Sequence, residues 1–170
     1  MVTAFGDSKT AGDSWQAGLI DLLNTQCANN STLAEIAVSG ATAAYWAANL
    51  PGVLASYSGT PTHILVNLGI NSEASFEADY ATVLDLFHAK WPSAKVYLTH
   101  VWGRGYDRTA VNASIDTVRA ARSAWAFDGD DERVWLEGGD DGATMTIDGV
   151  HYSTAGQAAK AAAVKAAMGY

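Results

Sequence analysis

Three residues near opposite ends of the chain have types that together could activate a hydroxyl. Ser8 closes a Gly6-Asp7-Ser8 turn just after a short apolar run, and Asp148 and His151 stand three residues apart in Asp148-Gly149-Val150-His151. A serine hydroxyl is a poor nucleophile until a neighbouring base takes its proton, and an imidazole, with an ordinary pKa of about 6.5, does this near neutral pH. A carboxylate three residues away, across a glycine-containing loop, can bend onto one ring nitrogen and leave the other facing the serine. The chemistry would be attack on an ester carbonyl, which also needs N–H groups to bind the developing oxyanion; losing one such donor typically costs about 10²–10³ in turnover. The plainer reading of Asp148 and His151 is a polar turn ahead of a helix.

Each candidate has a competitor. Gly-Asp-Ser occurs again at Gly12-Asp13-Ser14, which makes Ser14 a rival nucleophile. No strand pattern precedes that second copy, and Asp13 with Gln16 has the spacing of a helix N-cap and its N3 partner, so Ser8 is preferred. Asp7 is expected to hold its turn through backbone N–H groups rather than to take part in chemistry. His63 and His88 read as structural. His100 ends a strand pattern and leads into a glycine-punctuated loop with Trp102, Arg104 and Tyr106; these four are candidate substrate-binding residues, with an ordinary amphipathic loop as the alternative. The acidic residues Asp128, Asp130, Asp131, Asp140 and Asp141 fit no EF-hand pattern and read as a solvated loop.

The elements that must position these groups follow from hydrophobic period. Val2 to Phe5, Leu33 to Val38, His63 to Leu68, Lys95 to Thr99 and Val134 to Leu136 are short apolar runs bounded by glycine, proline or polar residues, which predicts five strands. Between them the period is helical. Phe76, Tyr80, Val83, Leu84, Phe87 and Trp91 share one face before Pro92, and Val111, Ile115, Val118 and Trp125 form another stripe. Ala155 to Met168 is rich in alanine, and Thr154 with Gln157 has capping-box spacing. Alternating strands and helices predict one α/β domain over residues 1–170, a three-layer α/β/α fold on a parallel sheet with right-handed crossovers. In a flavodoxin-like order, 2-1-3-4-5, the ends of the first three strands are neighbours: Gly6-Asp7-Ser8, Ser39-Gly40 and Gly69-Ile70-Asn71 converge there. The last segment, from Glu137 to Val150, must then reach back to the first strand.

In type, order and spacing, Gly6-Asp7-Ser8-Lys9-Thr10, Gly40, Gly69-Ile70-Asn71 and Asp148-Gly149-Val150-His151 resemble the GDSL, or SGNH, hydrolase family over nearly the whole chain. The resemblance implies a flavodoxin-like hydrolase fold with Ser8 as nucleophile and His151 with Asp148 completing a triad. It also implies an oxyanion hole made by the backbone N–H groups of Ser8 and Gly40 and the side-chain amide of Asn71. The chain departs from the family pattern at Ser72, where an aspartate usually follows the asparagine.

Composition excludes other classes. The 170 residues are 49% apolar, enough for one sizeable core, and ten basic against eighteen acidic residues leave a net charge of −8 with no basic cluster. Nucleic acid and anionic membranes are therefore not expected partners. The weakly polar stretch from Ile36 to Leu54 is interrupted by Ser39, Gly40, Asn49 and Pro51, so a soluble chain without a transmembrane segment is expected. No signal peptide precedes the first motif, and a processed or excised chain would look the same, so export stays open. Cys27 is alone, which excludes an intrachain disulfide and a cysteine zinc site. No metal or organic cofactor is required.

Short inter-strand segments without an apolar lid predict a shallow site for a short acyl group such as acetyl, on a small-molecule or glycan ester. Within the family that profile resembles carbohydrate acetylesterases and other short-chain esterases. A thioesterase or lysophospholipase with a longer acyl groove is the enzymatic alternative. A glycan-binding module with Trp102 and Tyr106 as an aromatic platform is the non-catalytic one.

Overall fold

The computed structural model describes residues 1–72, 75–140 and 144–170, the side chains of 137–140 excepted. Four of the apolar runs become strands β1 (Val2–Gly6), β2 (Leu33–Ala37), β3 (His63–Asn67) and β4 (Lys95–His100). They pair in parallel with a fifth, β5 (Ala126–Asp131), in the order β2-β1-β3-β4-β5. The helices are α1 (Ser8–Ala11), α2 (Trp15–Gln26), α3 (Ala43–Ser56), α4 (Phe76–Lys90), α5 (Thr109–Ala120), α6 (Glu132–Asp140) and α7 (Thr154–Ala167).

The period of two along the strands divides the core. Phe5, Ile64, Val66, Val96 and Leu98 pack on α3, α4 and α5 through Trp46, Leu50, Tyr80, Val83, Leu84, Phe87, Ile115 and Val118. Val2, Ala4, Leu65 and Tyr97 face the other way, onto Trp15, Leu19 and Leu23 of α2, Leu136 of α6 and Val164 of α7. Helices therefore cover both faces, as a parallel sheet demands. None of the described helices is long and apolar enough to cross a membrane.

The fifth strand is not where the apolar run placed it. Val134 to Leu136 lies inside α6, with Leu136 buried and Val134 exposed, and the strand is the acidic segment Ala126-Phe127-Asp128-Gly129-Asp130-Asp131. An edge strand needs little apolar surface, and its carboxylates each find a cation. Asp130 is buried against Lys160 of α7 at 2.8 and 3.0 Å, Asp128 meets Arg119, and Asp131 meets Arg133. Asp128, Asp130 and Asp131 are thus strand residues rather than a solvated loop. The side chain of Asp140 and all of Asp141 lie outside the described residues. Among the described residues no three His, Cys, Asp or Glu side chains cluster to hold a metal ion.

Candidate active site

The first strand ends against its neighbour so closely that a side chain is excluded. A Cβ built on Gly6 would lie 2.1 Å from the Asn67 carbonyl oxygen of β3. The chain then turns through Asp7, whose buried carboxylate accepts the Lys9 N–H at 3.0 Å and the Gly69 N–H at 3.4 Å, tying the end of β1 to the loop after β3. Ser8 follows as the first residue of α1 and is half-buried.

Burial pushes the Asp7 carboxyl up to about 6, against the Lys9 backbone N–H and charge that favour its ionised form. The fold therefore holds this proton more tightly than the unfolded chain does. The resulting stabilisation is full below the ordinary carboxylate range and is lost as pH rises through about 6. The stability of wild type relative to Asp7→Asn, from urea unfolding, is expected to fall by about 2 kcal/mol between pH 4 and pH 7. A pH-independent difference contradicts this.

Asp148 and His151 sit at the tip of a hairpin-like loop. Ile147 N–H donates to the His151 carbonyl at 2.9 Å, and Ser153 N–H to that of Met145 at 2.9 Å. Between them Gly149 takes φ +90°, a left-handed turn that L side chains adopt only with strain. This turn folds Asp148 back on its own loop. Its Oδ1 accepts the Val150 and His151 N–H groups at 2.9 and 2.8 Å, and its Oδ2 lies 2.7 Å from His151 Nδ1. The hydrogen bond from the His151 ring, followed by those two backbone donors, brings the Asp148 carboxyl down to about 2 although the side chain is half exposed.

The return of this loop to β1 is solved by the residues that read as caps. Gln157, one turn into α7, donates from Nε2 to Asp13 at 3.3 Å, and its Oε1 accepts the Ser14 hydroxyl and N–H. The Tyr152 N–H donates to Asp13 at 3.4 Å. The second Gly-Asp-Ser copy is therefore a docking point for the start of α7. This corrects two expected caps. The N-cap of α2 is Ser14, with no side-chain capping bond, because its hydroxyl is given to Gln157, Asp13 is engaged by α7, and Gln16 by the Thr10 carbonyl and Glu35. The N-cap of α7 is Ser153, whose hydroxyl accepts the Gly156 N–H, rather than Thr154.

A cavity of about 410 Å³ is lined by Ser8, Ile70, Asn71, Arg104, Tyr106, Asp148, Val150 and His151. Three loops and the hairpin thus meet at the end of the sheet where β1 and β3 stop. The Asn71 side chain donates from Nδ2 to the Ala41 carbonyl at 3.3 Å, which places it beside Gly40 in the turn after β2. Gly40 itself is not among the lining residues. Of the four residues proposed from the loop after β4, Arg104 and Tyr106 reach the cavity and the other two do not. His100 is held between Asp116, 3.0 Å from its Nε2, and Arg133, and the Trp102 ring is buried in the core under α2 and α7. The four residues are two apart and would share one face of a regular strand, so tertiary contacts sort them: Trp102 packs with Trp15, Tyr152 and Val164, while His100 is captured by charged groups on α5 and α6. His88 stacks on Trp125 with ring centroids 4.3 Å apart, far from these groups in role.

Arg108 was not foreseen. Its guanidinium donates to the Ile70 carbonyl and lies 4.9 Å over the Tyr106 ring, clamping the loop after β3 to the wall of the cavity. The Arg104 N–H likewise donates to the Gly149 carbonyl at 2.7 Å, joining that wall to the hairpin.

Residues 4–159 match the model of the GDSL-like lipase/acylhydrolase family. The chain belongs to this family. Solved structures agree on its fold. The psychrotrophic esterase EstA from Pseudoalteromonas sp., whose structure is inhibited by monoethylphosphonate, is 17% identical with a TM-score of 0.77, covering 99% of this chain and 96% of its own. An acetyl xylan esterase, AlAXEase, is 18% identical with a TM-score of 0.77, covering 98% and 99% respectively. A GDSL-like lipase from Bacteroides thetaiotaomicron is 19% identical with a TM-score of 0.72, covering 99% and 87%. No curated protein matches in sequence. The five-stranded parallel sheet in the order β2-β1-β3-β4-β5 is that of the GDSL hydrolases.

Proposed function

We propose that the chain is a serine esterase that hydrolyses short-chain carboxylic esters, with acetyl groups on carbohydrates as the favoured class, through an acyl-enzyme on Ser8. The observation that carries this reading is the convergence of Ser8, Asn71 and the 2.7 Å Asp148–His151 pair on one cavity. In it, His151 Nε2 takes the Ser8 hydroxyl proton as Oγ attacks the ester carbonyl carbon, and Asp148 holds the opposite ring N–H. Negative charge moves to the carbonyl oxygen, where the Ser8 and Gly40 backbone N–H groups and the Asn71 amide donate to it. A primary amide carries two N–H donors; Asn71 anchors one on Ala41 and has the second for this purpose. His151 then gives its proton to the leaving alkoxide, and a water molecule, deprotonated by the same imidazole, releases the acid and restores Ser8.

Size and lining favour a short acyl group. The cavity of about 410 Å³ offers Ile70 and Val150 as its aliphatic residues, and Asn71, Arg104 and Tyr106 are polar or amphipathic. A long acyl chain needs a deep apolar cavity, whereas polar walls suit a hydroxyl-rich leaving group. The esterase and acetyl xylan esterase among the structural neighbours accord with this choice.

The test is covalent labelling followed by a substrate panel. A serine-directed phosphonate should add one adduct mass to the peptide containing Ser8. Turnover of p-nitrophenyl esters should then be highest at acetyl and decline as the acyl chain lengthens, with acetylated sugars hydrolysed. A label on another peptide or none at all refutes the nucleophile, and a maximum at long chains refutes the short-acyl assignment in favour of a thioesterase or lysophospholipase.

A further inference from the structure

Beneath the cavity lies a set of ionised side chains that the proposed reaction does not use. Lys9, the residue after Ser8, turns its side chain into the core, where it has no solvent exposure, and its ammonium donates to the Trp102 carbonyl at 2.8 Å and to the Glu132 carboxylate. Glu132, equally buried, accepts the Trp102 N–H at 2.9 Å, Lys160 at 3.2 Å and the Tyr152 hydroxyl. Tyr152 follows His151 in the chain, and its hydroxyl also accepts the Asn67 amide at 3.0 Å from the end of β3. The Lys9 ammonium stands 4.8 Å from the centroid of the Tyr152 ring. Lys160 and Asp130 complete the group as a second, mutually neutralising pair.

We propose that the chain of contacts Lys9–Glu132–Tyr152 is a positioning device that sets His151 at its working distance from Ser8. The inference rests on the serine-esterase reading of the site and goes beyond it, since none of the three residues touches substrate.

Stability alone does not explain the arrangement. Buried ion pairs gain little over well-packed apolar side chains, because desolvation offsets their attraction. Direction is what they add. The nucleophile turn and the histidine hairpin come from opposite ends of the sequence, and apolar packing between them would tolerate sliding. Here a residue adjacent to Ser8 and one adjacent to His151 are bonded to the two oxygens of a single carboxylate, Lys9 to Oε2 and Tyr152 to Oε1, so the separation of the two backbones is held by bond geometry at both ends. The same carboxylate takes the Trp102 N–H, two residues before Arg104, which ties the cavity wall to the same point. Burial works to raise the Glu132 carboxyl, but the Lys9 and Lys160 charges beside it prevail and hold it below the ordinary carboxylate range, so the anchor stays ionised.

Two variants test this. Tyr152→Phe keeps the ring and removes the hydroxyl. The double variant Lys9→Met with Glu132→Gln removes one charge of each sign and leaves the neutral Lys160–Asp130 pair. With active sites counted by end-point phosphonate titration and short-chain ester as substrate, kcat per titrated site should fall roughly tenfold in Tyr152→Phe and roughly 10²-fold in the double variant, with KM within about twofold of wild type, the loss being one of alignment rather than binding. Should the double variant fail to fold, Tyr152→Phe alone decides. Variants that melt earlier yet keep kcat per titrated site show a purely structural cluster and overturn the proposal, as does a change confined to KM. A wild type that neither labels nor turns over removes the serine-esterase reading and this inference with it, whereas an active wild type with unaffected variants removes this inference alone.

Discussion

Ser8→Ala is expected to lower turnover of p-nitrophenyl acetate by about 10⁴–10⁶-fold, since in the proposed reaction the oxyanion donors left behind supply only the residual rate of a triad stripped of its nucleophile. Ser14→Ala is expected to retain turnover within about threefold, its loss being one of docking between α2 and α7 rather than of chemistry. The contrast is demanding because both serines follow Gly-Asp in the sequence. Their surroundings separate them: Ser8 lines the cavity with His151, and the Ser14 hydroxyl is spent on Gln157. Steady-state rates of the two variants, with folding checked by circular dichroism, settle the point. Equal losses, or a loss confined to Ser14→Ala, would falsify the assignment.

The second large effect is expected at Asp148. In the wild type its carboxylate can only accept, so the proton on His151 must sit on Nδ1, leaving Nε2 unprotonated for its role as base in the proposed reaction. Asp148→Asn offers an amide that can donate to Nδ1, which moves the ring proton to Nε2 and disables it. A fall in kcat of roughly 10²–10⁴-fold is expected, with the lower end appropriate to a half-exposed pair where water can compete. The sign of the pH dependence follows from the same bond. A carboxyl held at about 2, chiefly by the His151 ring hydrogen bond, is ionised throughout the range above the ordinary carboxylate values, and its contribution is lost only as pH falls toward 2. Any decline of wild-type kcat/KM between pH 5 and 7 therefore belongs to another group, and the rate profile of Asp148→Asn should stay depressed at every pH rather than recover at high pH. Unchanged kcat in this variant would remove Asp148 from the mechanism.

Much of the scaffold is visible in the sequence because it is written in period. Phe76 to Trp91 announces α4 almost residue for residue, and the runs at Val2, Leu33, His63 and Lys95 begin β1, β2, β3 and β4 where the structure does. β1, β3, β4 and α4 are buried on both faces or along a full stripe, so their apolar content is dictated by the place they occupy, and β2, largely exposed at the edge opposite β5, is still marked by Leu33, Ala34, Ile36 and Ala37. The fifth strand escapes the same logic. It lies at the sheet edge and carries Asp128, Asp130 and Asp131, each neutralised by a residue from another element, and no local pattern records that Lys160 and Arg119 will be there. The apolar run at Val134 to Leu136 lies in a short helix that buries Leu136 and exposes Val134, and three residues cannot distinguish such a helix from a strand.

Around the cavity, the blocks at Ser8, Asn71, Asp148 and His151 stand out in the sequence because glycine and a short polar residue at a strand end or turn are required for backbone reasons alone. His100 and Trp102 look equivalent to Arg104 and Tyr106 when read as a string, and only the packing of the loop after β4 sorts them.

The sequence by itself determined the layering of helix and strand, the strand ends at which Ser8 and Asn71 emerge, and the local pairing of Asp148 with His151, because each is decided by period or by residues within a few positions of one another. Only the tertiary structure decided that the hairpin returns to the first strand. That step depends on Asp13 and Ser14 docking Gln157, and on Lys9, Glu132 and Tyr152 meeting in a dry interior, where every partner is distant in the chain and each charge is tolerable solely because the others are present.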